Sequence, residues 1–170
     1  MRHLSVREVV LYWGPAILML ACIMVESTDL MSAQHTHGWI YFLLRKYFPQ
    51  VSPWQLWQVN LIIRKTGHVV GYGLLGATLY RAFRGTFEQL PSPGKWHIRF
   101  AFFAVFATFL VASADEIHQM HLSSRTGSWW DVLLDTSAAT VAQVVVYWYL
   151  RRRNRQNSQP TATTTVTANS

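Results

Sequence analysis

The sequence is poor in cysteine, in charge and in acids. Cys22 is the only cysteine among 170 residues, so no disulfide can form within the chain and no thiolate cluster can hold a metal. Charged residues make up 14% of the chain, against roughly 25% in an average soluble domain. Eight acids face fifteen Lys and Arg, for a net charge of +7. Such an excess points to nucleic acid only when the cations form one face with base-reading partners. Here they stand at the ends of apolar runs, where they set membrane topology, and no nucleic-acid partner is expected. Gly71, Gly73 and Gly76 spell G-x-G-x-x-G, but no strand precedes them and they lie within an apolar stretch, so no dinucleotide site follows.

What the chain has is apolar surface. It is 51% hydrophobic, with eight Trp, seven Tyr and nine Phe. Trp and Tyr favour the membrane–water interface. Mean hydropathy is only +0.12, because polar loops and a Thr/Ser-rich tail dilute the apolar runs. Those runs predict four membrane-spanning helices, over residues 9–25, 64–80, 98–114 and 131–150. The first is long for a signal peptide, and Glu26-Ser-Thr-Asp29 offers no cleavage site, so an uncleaved span is expected. Between the first two spans, residues 39–44 are apolar but too short to cross, and Trp54, Trp57 and Leu61 lie at helical spacing. Both pieces read as short helices on the membrane surface, with an ordinary packed loop as the alternative. Gly67 and Gly71 have the spacing that allows close helix–helix approach. The expected fold class is all-α integral membrane: a four-span domain over residues 1–155, short interfacial helices in its first outer loop, and a disordered cytoplasmic tail over 156–170.

Topology follows from the cations. If the N-terminus, residues 81–99 and the C-terminal tail share one side, that side carries ten of the fifteen Lys and Arg. Arg45, Lys46, Arg64, Lys65 and Arg125 fall on the other. The positive-inside rule puts both termini in the cytoplasm. The polar motifs then face outward, toward the cell envelope.

Residues 113–135 crowd ionisable groups between two apolar runs, and such groups at a membrane boundary are usually functional. Lys65, His68 and Tyr72 share one helix face at i, i+3, i+7. Asp115, His118 and Gln119 share another, and Asp131 and Asp135 stand at i, i+4 at the start of the fourth span. Three helix ends can therefore aim polar side chains at one pocket, which Glu26 and Asp29 could join. Carboxylates with His suit a divalent metal, or acid–base chemistry with His68, Asp115 and Glu116 as the catalytic candidates. Lys65 and Arg125 suit an anionic lipid head group. The same residues could equally pair only with one another and lock the helices. Asp131 could cap the last helix.

Arg64, Lys65, His68, Tyr72 and Leu75 form R-K-x-x-H-x-x-x-Y-x-x-L. Asp115, Glu116, Gln119, Arg125, Gly127, Ser128, Asp131 and Asp135 form D-E-x-x-Q-x5-R-x-G-S-x-x-D-x-x-x-D. Together these blocks resemble the VanZ-like membrane proteins, over about residues 9–150. Two departures stand out. Ser123-Ser124 replace a frequent Pro-Gly, and Ser137-Ala-Ala139 lacks a glycine frequent after the second Asp. The resemblance implies a multi-pass protein of the bacterial inner membrane. The family takes its name from a protein associated with low-level resistance to teicoplanin, a lipid-tailed glycopeptide. The expected partners are membrane lipid and a lipid-linked envelope precursor or such a lipoglycopeptide, though many members occur outside any resistance context. The resemblance brings neither a mechanism nor a cofactor. The site it implies is Lys65, His68, Tyr72, Asp115, Glu116, Gln119, Arg125, Asp131 and Asp135.

Overall fold

The computed structural model describes residues 4–28, 33–88, 95–122 and 127–157. Among them there are five helices and no strand: α1 (Val6–Glu26), α2 (Ala33–Tyr47), α3 (Pro53–Phe87), α4 (Ile98–Met120) and α5 (Trp129–Asn157). Two starts are set by reciprocal capping. Ser5 Oγ accepts from the Glu8 N–H while the Glu8 carboxylate accepts from the Ser5 N–H. Ser52 and Gln55 do the same for α3, with Pro53 in the first turn, where its missing N–H costs nothing.

That second cap changes one expectation. The Trp54–Trp57–Leu61 segment is not a separate surface helix but the beginning of α3, which runs unbroken for 35 residues. Pro53 is the last breaker, and nothing between it and Lys65 stops the helix. At 1.5 Å per residue α3 is about 52 Å long, well over the ~30 Å hydrocarbon thickness of a bilayer. The apolar piece at 39–44 lies within α2, a longer helix of 15 residues.

Helix α3 is the hub. It packs against each of the other four helices, and α4 and α5 also pack on each other. The order is up-and-down. Trp13 Nε1, early in α1, donates to Thr86 Oγ1 near the end of α3 at 2.9 Å. Ser27, just past α1, meets His118 near the end of α4 at 3.2 Å. Tyr12 and Arg153 line one cavity, which brings the start of α1 and the end of α5 to the same end of the bundle.

Alanines are frequent in the interior, beside larger residues such as Tyr72, Leu75 and Phe100, and many bulky apolar residues stand outside. Ala16, Ala82, Ala104, Ala112 and Ala139 are buried, while Phe102, Phe106, Leu110, Val141, Val145 and Trp148 are exposed. Small residues inside let backbones approach, and bulky apolar residues outside suit lipid. Helices α1 and α4 are long and apolar enough to cross a membrane. The closest approach differs from the expected one. A Cβ on Gly67 would meet nothing within 4 Å, and one on Gly71 only Ile23 at 3.9 Å. A Cβ on Gly76 would lie 2.9 Å from Ala139 Cβ and 3.0 Å from its Cα. Gly76 thus lets the α3 backbone come close to α5, and Gln143 Nε2 donates to the Gly76 carbonyl at 2.9 Å. The alanine standing where a glycine is frequent fits because the glycine is on the other helix.

Candidate functional site

Three helices meet at the end of the bundle opposite the start of α1. Helix α3 presents Lys65, His68 and Tyr72 on one face, as their spacing predicts, and each finds an acid on a neighbour. Lys65 Nζ pairs with Asp131 of α5 at the rim, with side chains 48% and 29% exposed. One turn deeper, His68 Nδ1 lies 3.2 Å from Asp135 Oδ2. Deeper again, Tyr72 donates to Asp115 Oδ2 of α4 at 2.9 Å. The same oxygen accepts from Gln119 Nε2, one turn further along α4, at 3.0 Å, which holds the carboxylate toward Tyr72. The His68 and Tyr72 rings stack with centroids 5.9 Å apart.

Glu116 is held from a different direction. It is buried, and its Oε2 accepts from the Ser128 backbone N–H at 2.7 Å. That contact depends on Gly127. A Cβ there would run into the Glu116 carbonyl oxygen and into Met120 Cγ at 2.6 Å. The chain leaving α4 can therefore fold flush against it only with glycine. Ser128 also accepts from the Trp130 N–H through Oγ at 3.2 Å. Ser128 thus takes the capping role that Asp131 was a candidate for, and Asp131 lies in the first turn of α5.

Of the sequence-predicted residues, Lys65, His68, Tyr72, Asp115, Glu116, Gln119, Asp131 and Asp135 come together in this cluster. Arg125 lies outside the described residues, as does Asp29. His118 does not join Asp115 and Gln119; it turns to Ser27. Sequence reading missed two features. One is the Ser128 N–H, which carries no side-chain signal beyond the Gly-Ser pair that precedes α5. The other is a second polar group at the opposite end: Glu88 accepts from Arg84 Nε at 2.6 Å and lies 3.2 Å from His97 Nε2, and Tyr80 accepts from the His97 N–H at 3.1 Å. The i, i+4 spacing of Arg84 and Glu88 was its available signal.

Chemically the cluster is rich in acceptors. Four carboxyl groups lie close to one ammonium and one imidazole. His68, Glu116 and Asp135 each offer a ligand atom, all within 4.8 Å of one another. Asp135 is fully buried, and its Oδ1 has no hydrogen-bond partner among the described residues.

No curated protein and no solved structure matches the chain. The VanZ/LLP1 family matches residues 12–151, which include every residue of this cluster. The chain therefore belongs to the VanZ/LLP1 family.

Proposed function

We propose that this chain is a four-span protein of the bacterial cytoplasmic membrane, with both termini cytoplasmic. Its cluster at the outer face binds the polar head of a lipid-linked envelope component or of a lipid-tailed glycopeptide of the teicoplanin kind. The observation that carries this reading is the layering of the cluster. An exposed Lys65–Asp131 pair forms the rim, and half-buried His68 with buried Asp135 and Glu116 lies beneath it. A head group would meet Lys65 first, while its lipid stays against the apolar outer surface. The carboxylates beneath accept from hydroxyl or amino groups of the head. The cations of the sequence and the shared end of the α1 start and the α5 end support the N-in, C-in arrangement.

A second reading is acid–base catalysis on the same head group. A buried carboxylate that fixes an imidazole through Nδ1 is how proteins orient a histidine base, and Asp135 stands in that relation to His68. His68→Asn with the fold intact would then abolish turnover and spare binding.

The test is susceptibility. A sensitive Gram-positive host expresses wild type or Glu116→Gln at matched membrane levels. Reduced susceptibility to teicoplanin and not to vancomycin, lost in Glu116→Gln, is expected. No shift with folded protein refutes the glycopeptide role. A reporter fused after Arg155 that reads as external refutes the topology.

A further inference from the structure

Four carboxylates in the cluster face one ammonium and one imidazole, and the surplus of acid is localised. Asp131 is met by Lys65, and Asp115 by Tyr72 and Gln119. That leaves Asp135, and Glu116 with only the Ser128 backbone N–H on its Oε2, around His68. Both acids are buried, at 2% and 0% exposure. One Asp135 oxygen faces His68 Nδ1 at 3.2 Å. The other, Oδ1, is buried with no hydrogen-bond partner among the described residues. A buried carboxylate oxygen without a donor is costly and rarely kept without a role. A metal ion supplies what a donor would.

We propose that His68, Glu116 and Asp135 bind one divalent cation of the zinc or manganese class, through one imidazole nitrogen and two carboxylate oxygens. The donor set favours that class: imidazole suits zinc and iron, carboxylate suits manganese and magnesium, and the mixture selects ions that accept both. Two ligands on one ion with bonds of about 2.1 Å stand about 3.0–3.4 Å apart. The His68–Asp135 spacing of 3.2 Å is already of that size. Three atoms within 4.8 Å of one another lie at most about 2.8 Å from a common centre, about 0.7 Å beyond a bond, so small side-chain rotations close the site. Three protein donors leave coordination positions open, as ligand-binding and catalytic sites do and closed structural sites do not. The functional half of the proposal rests on the head-group reading above. A cation at this point gives an acidic pocket the positive charge that a phosphate oxygen requires.

The test uses the full chain, purified in detergent without a polyhistidine tag, stripped with chelator and titrated separately with Zn²⁺ and Mn²⁺. One equivalent per chain is expected for at least one ion, with affinity reduced tenfold or more in Asp135→Asn and Glu116→Gln. His121→Gln, an exposed histidine outside the cluster, should bind as wild type does. Circular dichroism checks that the variants fold. If Asp135→Asn does not, the readout is the metal-dependent rise in wild-type melting temperature, which Glu116→Gln should remove. No stoichiometric binding by wild type, or equal binding by wild type and a folded Asp135→Asn/Glu116→Gln variant, overturns the proposal. The two readings fail separately. Metal binding without any glycopeptide or lipid phenotype keeps the cation site and removes the head-group role. A phenotype lost in Glu116→Gln without metal binding does the reverse.

Discussion

Replacing Gly76 by alanine should unseat α5 from α3, while the same change at Gly67 should not. At Gly76 the new methyl would stand 2.9 Å from Ala139 Cβ and 3.0 Å from Ala139 Cα. Carbon atoms prefer about 3.5–4.0 Å, so the helices must separate locally by about half an ångström or more. The obstacle includes backbone, which cannot rotate aside. Overpacking of this kind costs about 1–3 kcal/mol. Separation also stretches the bond from Gln143 Nε2 to the Gly76 carbonyl. An interhelical hydrogen bond in a membrane protein is worth about 0.6 kcal/mol, and up to about 2. Alanine's better helix propensity offsets about 1 kcal/mol of this. The net expectation for Gly76→Ala is a loss of about 1–3 kcal/mol from those terms. Gly67→Ala meets nothing within 4 Å. It keeps only the propensity gain and should be neutral or stabilising by up to about 1 kcal/mol. The assay is unfolding in mixed micelles with increasing SDS, followed by tryptophan fluorescence, for both variants in parallel. Equal stability of the two, or a larger loss at Gly67, would refute the assignment of the α3–α5 contact.

The cluster should be unequal in energy with depth. Lys65→Ala removes an exposed pair and should cost at most about 1 kcal/mol. Asp135→Ala empties a fully buried position and strips His68 of its partner, which should cost about 2–4 kcal/mol by the same SDS titration. The reverse order would mean that the rim and not the buried layer holds the helices. Gly127→Ala should push the connection away from α4 and release Glu116 from the Ser128 N–H. Faster amide exchange at Ser128, seen by hydrogen–deuterium exchange mass spectrometry, is the expected signature, and unchanged protection would contradict it.

The polar cluster was legible because helical periodicity is strict. Lys65, His68 and Tyr72 must share a face if the segment is helical, and ionisable residues on an apolar helix must be answered by something. Periodicity does not say which neighbour answers. His118 shared a predicted face with Asp115 and Gln119, yet it meets Ser27, just past the end of α1. Glycine spacing failed for a similar reason. Gly67 and Gly71 fit a packing motif, but a motif names residues able to pack closely, and whether they do depends on where the partner helix crosses. The crossing is fixed by Gly76 against Ala139, two positions whose pairing is a tertiary fact. The join between the Trp54 segment and the second span was missed because hydropathy falls there. The backbone does not break where hydropathy falls; it breaks where a cap or proline stops it, and neither stands between Pro53 and Lys65.

Two of the three helices that carry the site have weak hydropathy. The two helices apolar enough to be read as spans by composition are α1 and α4, yet α3 touches every other helix and α5 packs against both α3 and α4. Their polar residues are answered within the bundle: Gln143 by the Gly76 carbonyl, Lys65 by Asp131, His68 by Asp135. Thr136 and Thr140 bond back to carbonyls one turn earlier on their own helix. A polar group whose partner lies on the neighbouring helix adds little to the cost of sitting in lipid, so such helices need less apolarity than those facing outward. On this reasoning the weak hydropathy of α3 and α5 follows from the polar residues that they exchange with each other. Both helices turn their inner faces to each other, and in the proposed four-span arrangement only the outer faces, with Val70, Leu74, Val141 and Val145 exposed, would meet lipid.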